Sequence, residues 1–153
     1  MQQQNKAGKT TPPQRSDYRF FERISLRYAD NDGNGHVNNA HYYSFFDTAT
    51  EGYLRAYNLR EVLTQNAKTL VVASSCRYYS EISFPGNIDV GVRIDRIGRS
   101  SIHYDIAIFK SGETQEAAAH GTFTIVCASR ETGRPTDVPQ AVRDHLENQN
   151  QVS

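Results

Sequence analysis

The spacing of apolar residues along the first third of the chain predicts one strand and one long helix. From Phe20 to Arg27, apolar and polar residues alternate, which predicts a strand with one better-buried face. Apolar side chains then recur at positions 42, 45, 46, 49, 53, 54 and 57, which is a helical period. The pattern predicts a helix over Ala40–Leu59 with Asn38 or Asn39 as its N-cap.

After this helix the apolar period changes from helical spacing to alternation. The run from Leu70 to Ser80 is apolar and aromatic and predicts a buried strand. Residues 88–94, 102–109 and 117–127 alternate apolar with other side chains and are separated by short turn sequences. They predict three strands joined by hairpins and paired antiparallel. A short helix is predicted near Pro139, where proline suits the first helical position.

The predicted order is strand, long helix and four strands, without the βαβ alternation of a parallel sheet. The apolar face of a five-stranded antiparallel sheet needs a cover, and one long helix is available for it. We therefore predict an α+β fold in which the helix lies against a curled sheet. The long strands leave open edges, which pairing of two copies edge to edge would cover.

Composition excludes several classes of protein. The chain has 153 residues, which is one domain by default, and 17 basic residues balance 17 acidic ones. Zero net charge argues against a generic nucleic-acid-binding protein, and no apolar run approaches the roughly 18–20 residues of a membrane span. Cys76 and Cys127 are too few for a disulfide scaffold and lack the spacing of a metal site.

Charge is unevenly distributed between the ends and the middle of the chain. Residues 1–16 contain three basic and no acidic residues, with no apolar period, so we predict a disordered N-terminal tail. This tail lacks the apolar region of a secretory signal, and we predict a cytoplasmic protein, with organelle import as the open alternative. Residues 148–153 are predicted as a frayed end, which leaves 17–147 as the single folded domain.

The loop before the predicted helix, which reads YADNDGNGHVNN, has the most candidate functional residues. Asp30, Asp32 and Asn34 have the spacing of a calcium loop, but its twelfth position is His41 instead of Glu. A second hypothesis is catalytic, because a carboxylate beside the N–H groups of a helix start can attack a carbonyl that those groups polarise, or activate water. A third is structural: the two aspartates only cap and turn the loop.

The loop and the helix that follows also contain a longer pattern. Its members are Arg27-Tyr28, Asp30-Asn31-Asp32, Gly35-His36-Val37-Asn38-Asn39, Tyr42 and Phe45-Phe46-Asp47. With these residues the sequence resembles the hotdog-fold acyl-CoA thioesterases of the 4-hydroxybenzoyl-CoA thioesterase type, and the order of elements from about residue 18 to 130 fits them. The resemblance implies a long central helix wrapped by a five-stranded antiparallel sheet. It also implies hydrolysis of an acyl-CoA or acyl-carrier-protein thioester, no cofactor, and a homodimer or homotetramer with sites at the subunit interface.

The resemblance assigns the two catalytic positions. Asp32 matches the carboxylate that acts as nucleophile or general base on the thioester. Asn39 matches the position near the helix start whose backbone N–H polarises the thioester carbonyl. His36 and Tyr42 fall among the substrate-binding positions, and for His36 the resemblance favours ordering of the loop over a role as general base.

Other positions implied to bind substrate lie further along the chain. Thr69 lies near the position at which a residue of the partner subunit approaches the site in such enzymes. Arg99 with Ser100 and Ser101 matches a turn that contacts the phosphates or the pantetheine of coenzyme A, and an arginine fork suits phosphate.

Two other functions remain as alternatives. Hydratases and dehydratases of acyl thioesters share the fold but place a catalytic histidine in motifs that this sequence lacks. A non-catalytic module that binds acyl thioesters is the second alternative, against which the intact Asp32 argues. The five histidines have no common metal-ligand spacing, so we predict no metal site.

Overall fold

The computed structural model describes residues 11–65, 67–112 and 114–151. In these ranges five antiparallel strands form one sheet in the order β1-β3-β4-β5-β2, and a long helix packs on one face of it. The strands are β1 (Phe20–Ser25), β2 (Ala67–Tyr78), β3 (Asn87–Ile97), β4 (Ser101–Lys110) and β5 (Ala119–Ser129). The helices are α1 (Tyr42–Ala56), α2 (Arg60–Thr64) and α3 (Gln140–Gln151). The predicted α+β class and the antiparallel pairing of five strands are confirmed.

Helix α1 is shorter than the predicted helix Ala40–Leu59. A 3-10 turn over Asn39–His41 precedes it, and Asn58 ends it in the left-handed backbone region at φ 58°. The short helix α2 then follows as a separate element. The buried residues of α1 recur at helical spacing and face the sheet: Tyr42, Phe45, Phe46, Ala49, Thr50, Tyr53 and Leu54.

The central strand β4 is buried on both faces. Ile102, Tyr104, Ile106 and Ile108 belong to the core under α1. Ala107 and Phe109 belong to a second, smaller core on the other face, together with Tyr18 from the segment before β1. The N-terminal segment therefore covers part of the sheet face that α1 leaves open.

This cover corrects the boundary of the predicted N-terminal tail. The Arg15 guanidinium donates to the Asp89 carboxylate at 3.0 Å, and the Tyr18 hydroxyl donates to Asp105 at 2.6 Å. Residues 11–16 thus belong to the folded unit, because the Arg15 side chain and the backbone of Pro13 and Arg15 bind residues far along the chain. Residues 1–10 of the predicted tail lie outside the described residues.

The predicted frayed C-terminal end also needs correction. Helix α3 continues to Gln151, with Val142 fully buried and Leu146 packed against the core. Residues 152 and 153 lie outside the described residues. No helix of the described ranges is long and apolar enough to span a lipid bilayer.

Strand β2 differs most from its prediction. It was predicted as a buried strand, but it pairs with β5 on one side only and forms an edge of the sheet. Its apolar side chains at the middle of the edge are roughly half exposed, at 46%, 51% and 58% for Leu70, Val71 and Val72. The apolar run is therefore not covered by the described part of its own chain.

Candidate active site

The loop between β1 and α1 folds back on itself as a narrow hairpin. The Asn38 N–H donates to the Asp30 carbonyl at 2.9 Å, and the Asp32 N–H donates to the His36 carbonyl at 2.8 Å. Gly35 closes the tip with a left-handed φ of 78°, which glycine adopts without strain. This pairing places the backbone of Asp32 opposite that of His36.

Asp30 anchors the start of this loop through Arg27. Its side chain is 1% exposed, and its carboxylate accepts hydrogen bonds from the backbone N–H of Arg27 at 2.7 Å and from the Arg27 guanidinium at 2.8 Å. Burial alone would raise the pKa of Asp30, but the hydrogen bonds from Arg27 outweigh burial and lower it. The carboxylate that would begin a calcium loop is thus engaged with an arginine. Within the described residues no group of three or more His, Cys, Asp or Glu is placed to hold a metal ion.

Asp32 has a different environment from Asp30. It is half-buried, and one carboxylate oxygen accepts a hydrogen bond from the backbone N–H of Asn34 at 2.8 Å. In the described part of the chain the other oxygen accepts no hydrogen bond, and no cation pairs with the group. Asp32 is therefore oriented by the loop but keeps a carboxylate oxygen available for chemistry.

The start of α1 leaves one backbone donor without a protein acceptor. The Asn38 N–H is bound to Asp30, the Ala40 N–H to the side-chain oxygen of Asn38 at 3.0 Å, and the His41 N–H to the Asn38 carbonyl at 3.0 Å. Among the described residues none accepts from the N–H of Asn39. The positive end of the helix dipole adds to the capacity of this N–H to bind an oxyanion.

A cavity of about 260 Å³ adjoins the helix start. It is lined by His36, Val37, Asn39, Tyr42, Tyr78, Tyr79, Ser80, Glu81 and Ile82. Three predicted site residues, His36, Asn39 and Tyr42, thus meet there. The His36 ring pairs with Glu81 at 2.9 Å, and the Tyr42 and Tyr78 rings meet edge to face at 4.8 Å. Burial raises the pKa of Tyr42 to about 12, so its hydroxyl stays protonated near neutral pH.

The other predicted site residues lie away from this cavity in the single chain. Thr69 lines a separate groove of about 350 Å³ between α1 and β2, which also contains Asp47 and Glu51. Burial raises the pKa of Asp47. The residues that line the cavity at the helix start include neither Asp32 nor Thr69, nor any residue of the Arg99 turn.

The turn of Arg99, Ser100 and Ser101 lies at the far end of β3 from the Asp32 loop. The loop is tied to the near end, where the Asn31 side chain accepts a hydrogen bond from the Phe84 N–H at 3.0 Å. Strand β3 has 11 residues, so its ends are on the order of 30 Å apart. One chain therefore does not bring Arg99–Ser101 to Asp32.

Sequence reasoning missed six residues that line the cavity, of which Tyr78 and Glu81 contact predicted site residues. Tyr78 belongs to the run that was interpreted only as a strand, and Glu81 lies in the segment after it. Neither has a local motif, because the contacts that place them beside Tyr42 and His36 join segments about 40 residues apart. Cys76 and Cys127 are unpaired thiols whose pKa burial raises, which does not favour either as a nucleophile.

Comparison with known proteins gives the same fold. The PA5185 protein from Pseudomonas aeruginosa strain PAO1 is 42% identical, with 90% of this chain and 95% of that chain covered and a TM-score of 0.81. The uncharacterized protein YsmA of Bacillus subtilis strain 168 is 25% identical over 126 residues, which is 78% of this chain and 80% of YsmA. A DHNA-CoA thioesterase from Staphylococcus aureus is 22% identical, with 86% of this chain and 89% of that chain covered, and a TM-score of 0.73 shows a shared fold. Residues 26–146 match the thioesterase-like superfamily. The chain belongs to the thioesterase-like superfamily and has the hotdog fold of its thioesterase relatives.

Proposed function

We propose that this protein hydrolyses an acyl-CoA or acyl-carrier-protein thioester to a free acid and a thiol, with Asp32 and the N–H of Asn39 as its catalytic groups. The observation that carries the proposal is the helix start, where the N–H groups of Asn38, Ala40 and His41 are bound and the N–H of Asn39 has no acceptor among the described residues. A single donor aimed from a helix N-terminus suits the oxyanion that forms when a thioester carbonyl is attacked. Membership of the thioesterase-like superfamily and the likeness to a DHNA-CoA thioesterase support the same reaction class.

Two routes are consistent with the open carboxylate oxygen of Asp32. In the first, this oxygen attacks the thioester carbon, the thiolate leaves, and water hydrolyses the resulting acyl–Asp32 anhydride to restore the carboxylate. In the second, Asp32 takes a proton from water as the water oxygen attacks, and the proton passes to the leaving thiolate. In both routes the Asn39 N–H binds the carbonyl oxygen as its negative charge develops.

The backbone donor is tested with a matched pair of variants at position 39. Asn39→Pro removes the N–H, and the position tolerates proline because it opens a helical turn and Asn38 before it is extended at φ −62° and ψ 135°. We expect kcat on an acyl-CoA panel to fall by about 10²–10³, the usual loss for one oxyanion donor. Asn39→Ala keeps the N–H and removes only an exposed side chain, so it should retain activity near that of the wild type.

Thermal unfolding of both variants controls for damage to the fold. Thiol release by wild type must be shown first, on aromatic and on straight-chain acyl groups of several lengths. Full activity of a folded Asn39→Pro variant would reject the oxyanion role. Wild-type inactivity on every acyl-CoA and acyl-carrier-protein substrate would reject hydrolysis itself and leave the non-catalytic binding module.

We further propose that a second copy completes the site by pairing along β2. The exposed Val71 and Val72 at the middle of this edge support a two-fold antiparallel pairing of β2 with β2. In such a pair the Ala67 end of one strand lies beside the Tyr78 end of the other, and the Tyr78 end adjoins the cavity at Asn39. Thr69 of one copy would then face the catalytic loop of the other.

The same pairing would also bring the turn of Arg99, Ser100 and Ser101 to a site, although it lies far from Asp32 in its own chain. Leu70 lies opposite Val126 on β5, and Val126 lies opposite Ser101 on β4, so the Arg99 turn lies on the Thr69 side of the sheet. A two-fold axis at the centre of β2 would carry that side toward the partner's catalytic loop. The proposed unit is therefore a dimer, or a tetramer built from it, in which each site takes residues from two chains.

A further inference from the structure

The segment before α3 and its first turn fix the Gly98–Ser101 turn by backbone contacts. The Val138 N–H donates to the Arg99 carbonyl at 2.8 Å. The Arg143 guanidinium, from α3, donates through one terminal nitrogen to the carbonyls of Gly98 at 2.8 Å and of Arg99 at 3.0 Å. Three carbonyl contacts from one neighbouring segment hold the shape of a turn that would otherwise be an exposed hairpin end.

The turn is also tight within itself. The Gly98 N–H donates to the Ser101 carbonyl at 2.8 Å. A Cβ at position 98 would lie 2.5 Å from the hydroxyl oxygen of Ser101, so glycine is needed for the hydroxyl to keep its position. That hydroxyl is 3.1 Å from a ring nitrogen of His103, which fixes it from the other side.

The turn has one arginine of its own and accepts hydrogen bonds from a second, and each has guanidinium nitrogens without an acceptor among the described residues. Arg99 is 81% exposed and uses its Nε to bind Asp137 at 2.8 Å, and its two terminal nitrogens contact no acceptor of the described residues. Arg143 uses one terminal nitrogen for the turn carbonyls, and in the described ranges its other nitrogens have no acceptor. An arginine held through one side of its fork presents the rest in a fixed orientation, which suits bidentate binding of a phosphate.

We propose that Arg143 is a second phosphate-binding arginine, which acts with Arg99 on the phosphate-bearing carrier of the thioester, and that α3 positions the turn for this purpose. The proposal rests on the thioester function and extends it to the carrier end of the substrate. The shared chemistry is a phosphate ester on a pantetheine arm, which coenzyme A and a carrier protein both supply. Asp137 orients Arg99 through Nε and so acts as a positioning residue.

The test separates binding of the carrier from chemistry at the thioester. We expect Arg143→Ala to raise KM for an acyl-CoA about tenfold with little change in kcat, because a charge-assisted contact to phosphate is lost. On the corresponding acyl-pantetheine, which lacks the phosphates, the variant and wild type should have equal KM. Arg143→Lys keeps a cation and should recover part of the loss in KM.

Arg19→Ala is the matched control for docking of α3. Arg19 donates to the Gln149 carbonyl at the other end of the same helix. Its removal weakens a helix contact without touching the turn, so KM for acyl-CoA should stay near the wild-type value. An equal rise of KM for acyl-CoA and acyl-pantetheine in Arg143→Ala would show a structural role only and overturn the proposal.

A direct measurement of binding tests the phosphate site independently of thioester hydrolysis. Titration calorimetry with coenzyme A, dephospho-coenzyme A and pantetheine should give a loss of affinity in Arg143→Ala for the first two and none for pantetheine. An equal effect on both assigns Arg143 to the diphosphate, of which a carrier protein supplies one phosphate. An effect on coenzyme A alone would limit the contact to the 3′-phosphate and overturn the proposal of a phosphate shared with carrier proteins. If wild type hydrolyses no thioester but shows this binding pattern, the hydrolytic function fails and the phosphate site stands. If affinity for coenzyme A is unchanged in the variant, the phosphate site fails whatever the activity.

Discussion

Two aspartates two residues apart in one loop lie in different environments because their neighbours differ. Asp30 is fully buried and takes three hydrogen bonds from Arg27, so it holds the loop. Asp32 accepts one hydrogen bond from the loop backbone, and its other oxygen has no donor among the residues that the structure describes. The motif by itself placed the catalytic role at Asp32 through resemblance, and the environments of the two carboxylates are consistent with that assignment.

At this scale we predict opposite effects of the two amide substitutions. Asp30→Asn removes a charge-assisted pair and should lower the free energy of unfolding by about 2 kcal/mol, measured by urea denaturation. Asp32→Asn keeps an oxygen for the Asn34 N–H, so its stability should lie within about 0.5 kcal/mol of wild type. Its thioesterase activity should be lost while thioester binding persists. Equal stability losses in the two variants, or full activity of Asp32→Asn, would contradict this division of roles.

At the scale of elements, the N-terminal segment is held to the sheet by a buried carboxylate on β4. The Asp105 carboxylate, 8% exposed, accepts hydrogen bonds from the Tyr18 hydroxyl and from the Arg93 guanidinium, and the His120 ring lies 2.7 Å from it. Burial alone would raise its pKa, but the hydrogen bonds from these partners outweigh burial and lower the pKa of Asp105 to about 2. The charged form is therefore the one that the folded protein stabilises.

This lowered pKa predicts an acid-sensitive contribution to stability. In the unfolded chain an aspartate titrates at about 3.9, so the contribution is complete above about pH 4 and is lost as the pH falls toward 2. Between pH 4 and 2 the wild type should lose about 2 kcal/mol more unfolding free energy than Asp105→Asn, which cannot titrate.

Urea denaturation at several pH values in this range measures the difference. Asp95→Asn, at an exposed position of the neighbouring strand β3, is the matched control and should follow the wild-type curve. Parallel curves for wild type and Asp105→Asn would show that the carboxylate does not stabilise the fold in its charged form.

At the scale of the whole molecule, the proposed pairing of two copies along the exposed edge of β2 would complete the site. The apolar side chains of this edge are half exposed in one chain, and the Thr69 and Arg99 positions lie away from Asp32. Both facts are explained together when two copies pair along β2 in opposite directions. A single mutation at the edge should therefore affect assembly and activity at once.

We predict that Val71→Glu converts the protein to a monomer with little activity. Two like charges would face each other across the two-fold axis, and at a half-exposed edge position the substitution should cost the monomer about 1 kcal/mol at most. Light scattering gives the mass in solution, and Thr132→Glu in an exposed turn is the control. An active Val71→Glu monomer would refute the shared site.

Mixed dimers give a second readout of the same prediction. We expect an Asp32→Asn chain and an Arg99→Ala chain each to be defective alone. If each site combines the two chains, a dimer of one with the other contains one site with both residues intact and regains wild-type KM at that site. If mixing restores no activity, each site takes Arg99 and Asp32 from the same chain, and the shared site is refuted.

Local sequence determined the type and order of most elements, because the apolar period and the capping residues act over a few positions. Alternation predicted strands β3, β4 and β5, and the cap at Asn38 followed from its side chain.

The tertiary structure alone decided what covers each surface. The apolar pattern of a strand is the same whether its own chain or another copy buries it. For this reason the sequence predicts β2 as buried, although it is an edge strand. A polar N-terminal stretch is predicted to be disordered from its sequence. The ion pair that orders it joins Arg15 to Asp89, about 70 positions away. The loop motif likewise predicted which residues could carry out acyl transfer. Only the tertiary structure showed that no described residue accepts from the Asn39 N–H and that the Arg99 turn lies at the other end of β3. Such contacts depend on residues far apart in sequence, where local propensity has no influence.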